Sequence, residues 1–481
     1  MLFFIVFILL SNGLWASGSL TTDDYQFRHF TIKEGLSQSA VLCIMQDRRG
    51  FMWFGTGNGL NRFDGYNFIS YVNDPYDSTT ISDNEITSVF EDAQGYLWIG
   101  TVKGVLNKLN RRSETFEYFY PDSSSEVKIK FSESYTTYPI SFVRYSNNTI
   151  TSIAEDKIGN IWIGTWGNGL YRFDKKTKSF EHFYYQSNEP GSLSYNRITK
   201  ILVDKKSAIW IGTFGGGLNR VIKVQNKKHS TDYSYKFIHY KAGSSNNSIS
   251  NNDIISIYED SNSNLWVGTF NGGLNKLDNS QKYAAVNEAK FIRVTIGYKT
   301  IMSIVEGSEG DIWLGTLGNG LIKFDPSTNS VLNFKHNPLN ENTLPDNDVI
   351  ALEKDKSGIL WLGTSLGRGI TQLQINRKKF NHVTHYPGDS NSLSDNVVWS
   401  ITEDKDGYIW LGTYRGGLNK YDKKKNKVVT YKHNPNDPNS IPDNHIRSLA
   451  VDNYNNTVWS SDFTNNNRLY RFDIQCVVRR T

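Results

Sequence analysis

The feature that most constrains this chain is a tetrapeptide that keeps returning. Trp-apolar-Gly-Thr begins at Trp53, Trp98, Trp162, Trp210, Trp266, Trp313, Trp361 and Trp410, and a worn copy sits at Trp459. Nine of the twelve tryptophans are therefore one position repeated. The intervals are 45, 64, 48, 56, 47, 48, 49 and 49 residues. A period near 48 is that of a propeller blade, and a repeat of this kind has to be settled before any local motif is read.

One repeat reads as four short strands. In Asn196 to Asn246 they are Ile198–Asp204, Ile209–Thr213, Leu218–Lys223 and, after an inserted loop, Tyr235–Tyr240. Gly, Asn and Asp clusters separate them and no helical period occurs, which argues for an all-β architecture. Asp92-Ala-Gln-Gly95, Asp156-Lys-Ile-Gly159 and Asp404-Lys-Asp-Gly407 read as tight turns between the first two strands. Asp bonds forward to backbone amides there, and Gly supplies the positive φ. Gly167-Asn-Gly169, Gly215-Gly-Gly217 and Gly318-Asn-Gly320 turn the second strand into the third. The repeated Trp is expected to fill the wedge between neighbouring blades, because a binding residue need not recur in every one.

Nine blades exceed the usual four to eight. The expectation is a closed seven-bladed propeller over residues 19–379, followed over 380–473 by the first two blades of an incomplete second propeller. Tyr25 to Thr31 resembles the outer strands, so the chain enters on an outer strand that can complete the last blade and remove the free edges. The two long intervals place insertions in Pro121–Asn148, where an extra hairpin is expected, and in Val224–Tyr235.

Leu2–Leu10 is an unbroken apolar run followed by the small cluster Ala16, Ser17 and Gly18, so residues 1–18 read as a secretory signal peptide without the usual basic start. No other apolar stretch is long enough for a membrane helix. With only Cys43 and Cys476, a disulfide framework is not expected. The net charge of +5 is small for 481 residues, and lysines cluster at turns, so nucleic acid is not an expected partner. After Leu469–Asp473 an outer strand is due, but the chain reads Ile-Gln-Cys-Val-Val-Arg-Arg-Thr, and residues 474–481 read as the tail of a fragment.

Trp-aliphatic-Gly-Thr-x-x-Gly-Gly-Leu, with Ser82-Asp-Asn84, Ser394-Asp-Asn396 or Pro442-Asp-Asn444 ahead of the blade, resembles the two-component regulator propeller repeat, over about Tyr25 to Asp473. The resemblance implies the periplasmic sensor region of a hybrid two-component system. In that family two seven-bladed propellers precede a β-sandwich, a membrane helix, a histidine kinase core, a receiver and a DNA-binding domain, and the sensor detects oligosaccharides. This chain carries none of the signalling domains, so it implies no catalysis here, attachment to a membrane only through a downstream segment, and a homodimer as an open question for the full-length form.

The residues directly after Gly-Thr ring one face: Gly57, Val102, Trp166, Phe214, Phe270, Leu317, Ser365 and Tyr414. Trp166, Phe214 and Phe270 are aromatic in three consecutive copies. Rings beside Asn and Asp suit a sugar, whose faces are apolar and whose edges hydrogen-bond. The alternative is that they simply cover the central channel. Arg368 and Arg415 break the Gly-rich turn and could meet an acidic sugar, with Tyr414 beside the latter, although exposed arginines are usually just solvated.

A propeller hydrolase or lyase acting on polysaccharide, and a protein-binding scaffold, remain alternatives. The Asp-x-x-Gly-x-aliphatic-Trp turn is similar to the Asp-box of sialidases. However, Glu91-Asp92, Glu155-Asp156, Glu259-Asp260 and Glu403-Asp404 recur at equivalent positions, as a fold requires and a single catalytic dyad does not. No metal-ligand spacing or cofactor motif emerges. His29, His182, His239, His336, His385 and His433 fall on or near fourth strands, apart from one another.

Overall fold

A computed structural model describes residue 22 and residues 25–121, 145–225, 233–286, 288–364, 368–375, 383–452, 454, 457–462 and 469–473. The readings for residues 1–18, for most of the first insertion, for Ser365 and for residues 474–481 lie outside them. Apart from two short 3-10 turns, Ile32–Glu34 and Asn279–Gln281, the described elements are all strands. The chain divides into two compact units, Met1–Arg377 and Lys378–Thr481.

The first unit holds seven four-stranded antiparallel sheets. Blade 1 runs Val41–Gln46, Met52–Thr56, Gly59–Phe63 and Phe68–Tyr71. Blades 2 to 6 begin with innermost strands Ile86–Glu91, Ile150–Glu155, Ile198–Val203, Ile254–Glu259 and Ile301–Glu306. Blade 7 takes Val349–Lys354, Leu360–Thr364 and Ile370–Ile375 from the end of the unit and its outer strand, Tyr25–Phe30, from the beginning. In that register Tyr25 faces Ile375 and Phe30 faces Ile370. Each innermost strand packs beside the next, and that of blade 7 packs beside that of blade 1, so the ring closes as the sequence pattern requires.

The motif explains itself in this packing. Every motif tryptophan of the first unit is buried and belongs to a core that includes residues of the next blade: Trp98 packs with Ile153, Ile163 and Phe173, and Trp162 with Ile201, Ile211 and Phe237. The motif glycine is where the next blade comes closest. A Cβ on Gly100 or Gly164 would lie within 3 Å of the side chain of Ile150 or Ile198, the first residue of the following innermost strand.

The turn aspartate does more than close a hairpin. In blade 2 the backbone amides of Gln94 and Tyr96 donate to Asp92 Oδ1, and Trp98 Nε1 donates to Oδ2 at 2.9 Å. The same Nε1–carboxylate bond recurs at Trp53, Trp162, Trp210, Trp266, Trp361 and Trp410, over 2.7 to 3.0 Å. In blade 6 Gly307 holds the aspartate position, and the Asp311 carboxylate occupies the space a side chain there would take.

Two boundaries differ from the sequence reading. In blade 4 the third strand runs Gly217–Gln225 and the fourth Tyr233–Tyr240, so the second insertion is partly an extension of that hairpin. Its aromatic alternation, with Tyr233 and Tyr235 opposite Gln225 and Lys223, carries the pairing outward.

The second unit contains one four-stranded blade, Val398–Glu403, Ile409–Thr413, Leu418–Asp422 and Lys427–Tyr431, and a three-stranded sheet, Ile446–Asp452, Thr457–Asp462 and Leu469–Asp473. Both sheets repeat the strand order of the blades in the first unit.

Candidate functional site

Because the strands run outward in order, the loop entering each blade and the turn between its second and third strands share one face. Backbone bonds tie them together: the amides of Trp166 and Phe214 donate to the carbonyls of Thr149 and Arg197, each the residue ahead of its blade's first strand. The residue after Gly-Thr is thereby held at the rim of the channel.

Three of the predicted rings do meet there. Trp166 and Phe214 have centroids 5.9 Å apart, and Phe214 and Phe270 6.0 Å. Tyr145 extends the arc, 5.5 Å from Trp166. Trp166 is 7% exposed, whereas Phe214 and Phe270 are half-buried. The Arg197 guanidinium lies 5.7 Å from the Trp166 ring. Burial raises the Asp253 carboxyl above its ordinary range, against the pull of Arg197.

The arginines are not part of this arc. Arg368 is exposed on the corresponding turn of blade 7. Tyr414 and Arg415 belong to the second unit, where Tyr414 packs between Trp399, at 4.8 Å, and His445, at 5.3 Å. The Arg415 guanidinium sits 4.8 Å over the Tyr414 ring and its amide donates to Asp395.

Inside the ring lies a cavity of about 250 Å³ lined by the innermost strands together with Tyr145 and Trp166. The lining position opposite the motif glycine is Cys43, Ser88, Ser152, Ser256, Ser303 or Ala351 in six blades, and in blade 4 it is Lys200. Lys200 is deep in the disc yet exposed to the lumen. Burial pushes its ammonium below the usual lysine range, while the charge of Glu353 opposes the shift. Glu353, on the innermost strand of blade 7, is pushed up to about 7, chiefly by burial. Its place is Met45, Phe90, Ala154, Leu202, Tyr258 or Val305 in the other six blades. Sequence reasoning passed over both residues, although each was visible as a charged exception within a repeated strand.

The recurring acidic pairs serve the fold. Besides Asp on Trp, each Glu reaches the preceding blade: the amides of Arg48, Ala93, Lys205 and Ser261 donate to Glu91, Glu155, Glu259 and Glu306 at 2.5 to 2.7 Å. Gln46 takes this part at the closure, accepting from the amide of Lys356 at 2.8 Å. Basic side chains join in, Lys175 spanning Asp92 and Glu155, and the fully buried Lys282 spanning Asp204 and Glu259. The rim histidines bond backbone carbonyls, as His336 does to Leu344 and His433 to Ile441. Cys43 is a free thiol pushed up to about 12 by burial.

With the blades, the turns and the rim in place, the repeat can be compared with known ones. The two component regulator propeller family matches residues 35–58, 80–103, 144–167, 248–271, 343–365 and 392–415. These are two component regulator propeller repeats. The extracellular domain of the hybrid two component system BT3049 from B. thetaiotaomicron is similar, with 25% identity and a TM-score of 0.66, over 94% of this chain and 54% of that one. The extracellular domain of BT4673 from the same organism shares the fold at 21% identity and a TM-score of 0.53, over 94% and 52%. Histidine kinase P4 of Formosa agariphila is 47% identical over 78 residues, 16% of this chain and 5% of that protein. The chain thus spans about half the length of the two solved domains it matches. Among its described residues no helix is long and apolar enough to cross a membrane.

Proposed function

We propose that this chain is the periplasmic ligand-sensing region of a hybrid two-component sensor, and that its ligand is an oligosaccharide received at the aromatic rim of the first unit. The observation that carries the reading is the arc of Tyr145, Trp166, Phe214 and Phe270 at the mouth of the channel. The arc stands at the turn position where the repeat varies, in a chain whose repeats and fold resemble those of sensor extracellular domains. Half-buried rings offer flat apolar surface to a sugar face, and the loops around them supply amide and carboxylate groups for its edges. Recognition would pass to signalling domains outside this chain, and any contact with the membrane or pairing of sensors would be made through them.

The test is a glycan array followed by calorimetry on the secreted chain, with reducing-end assays on the same samples. Binding of an oligosaccharide without turnover, weakened at least tenfold by Trp166→Ala and Phe214→Ala in folded protein, is the expected result. Binding unchanged in both variants would remove the rim from the reading, and release of new reducing ends would replace sensing with hydrolysis.

A further inference from the structure

The channel carries a charge that the fold does not require. In the six other blades the position opposite the motif glycine is Ser, Cys or Ala, and the rest of the cavity wall is aliphatic side chains, hydroxyls and the rings of Tyr145 and Trp166. Ser88 and Ser303 keep their hydroxyls without a hydrogen-bond partner. Lys200 puts an ammonium into the same lumen, and among the described residues no carboxylate lies within ion-pair distance of it. Lys282, 0% exposed, is by contrast held by two carboxylates. The charge of Glu353 acts on Lys200 only from longer range, so the Lys200 ammonium, exposed to the lumen, is open to an anion that enters there.

We propose that the channel of the first unit is a subsite for the acidic end of a saccharide, in which Lys200 receives the carboxylate of a uronic acid while the sugar ring rests at the Trp166 mouth. The inference rests on the saccharide-sensing reading and narrows it to acidic chains. Lys200 and Trp166 line one cavity, so a single terminal residue can reach both. At about 250 Å³ the lumen is smaller than the pockets that engulf drug-sized ligands, which fits the end of a chain and not its length. A lysine ammonium is a point charge that any oxyanion satisfies, so a sulfated sugar presents the same chemistry and has to be separated by experiment.

The probes are D-galacturonate, D-glucuronate and galactose 6-sulfate, set against D-galactose and D-glucose, titrated into the full chain by saturation-transfer NMR and calorimetry. Lys200→Ser restores the residue that four other blades of the unit carry, and Lys200→Met keeps the length of the side chain without its charge; melting curves confirm that each is folded. The expected result is that a uronate binds, its neutral counterpart does not, and both variants lose at least tenfold in uronate affinity. Equal binding of galacturonate and galactose, uronate binding unchanged in the variants, preference for the sulfate, or no binding of any acid would each overturn the assignment. A neutral oligosaccharide bound through Trp166 while the acids fail would leave sensing intact and refute the channel subsite. Acids bound through Lys200 in a protein that takes no oligosaccharide would do the reverse.

Discussion

The two faces of the seven-bladed unit are built on opposite principles. On the face of the turns between first and second strands one arrangement recurs: an aspartate holds the indole of its own blade in six of the seven, a glutamate holds the turn of the preceding blade in four, and a lysine or arginine spans the two in three. On the opposite face the backbone bonds repeat, but the residue they present changes from blade to blade: Gly57, Val102, Trp166, Phe214, Phe270, Leu317. Seven near-identical joints are what a closed ring needs, since one weak joint opens it. A ligand has no such symmetry, so the face that varies is the one free to recognise. Substitutions on the first face should therefore cost stability and those on the second should cost binding.

The largest expected effect is at Lys282. Its ammonium lies 2.6 Å from Glu259 and 3.4 Å from Asp204, with no exposed surface. Lys282→Met leaves two buried carboxylates uncompensated and should lower unfolding stability by about 3–5 kcal/mol. Denaturant titration measures this, and a loss below about 1 kcal/mol would show that the joint does not hold the ring. Asp204 sharpens the point. Burial would raise its carboxyl, but bonds from Trp210, Tyr283 and the Ala208 amide, with the charge of Lys282, hold it below the ordinary range. A depressed carboxylate contributes stability above its unfolded value, lost as pH falls through the folded one, so this joint weakens only in acid.

Glu353 should show the opposite sign. Its folded value near 7 exceeds the unfolded one, so its contribution is complete below about pH 4.5 and disappears as pH rises through 7. Between pH 5 and 8 the protein should lose about 2–3 kcal/mol that Glu353→Gln does not lose. Parallel melting curves across that range would cancel the prediction.

How far the sequence reached follows the same division. Residues that repeat announce their role: the tryptophan, the glycine after it and the strand that Tyr25–Phe30 lends to blade 7 could all be placed by period and alternation. The aspartate was read only as a turn former, because its bond to an indole six residues on depends on how the hairpin folds back. Lys200 was missed for a different reason. Its meaning lies in the column of the repeat, opposite a glycine and facing a lumen, which becomes visible only when the seven innermost strands are laid side by side. Tyr414 and Arg415 looked equivalent to the rim of the first unit, yet they stand in a blade whose innermost strand is open. There Ile401 is 66% exposed, whereas its counterpart Ile153 is 7% exposed.

A smaller effect separates the indole from its hydrogen bond. Trp210→Phe keeps most of the wedge between blades 4 and 5 but removes the 2.9 Å donor to Asp204, which retains Tyr283 and Lys282. The loss should be about 1–2 kcal/mol, between the net worth of one hydrogen bond and the added volume change. A loss as large as that for Lys282→Met would mean that the indole bond, and not the ion pair, carries the joint.

The smallest effect on stability belongs to the varied face. Arg368 is exposed on the blade 7 turn, so Arg368→Ala should stay within about 0.5 kcal/mol of the parent. Its value lies in what it does to binding. Lys200 and Arg368 are both cations of the first unit, one in the lumen and one at the surface. If charge attracts the ligand only at long range, either loss should weaken binding by a similar factor, and salt should erase the difference. If the ligand's acid is seated in the channel, Lys200→Ser should weaken it at least tenfold and Arg368→Ala by less than about twofold. Titrations of both variants at low and at physiological ionic strength distinguish a seated charge from a surface field.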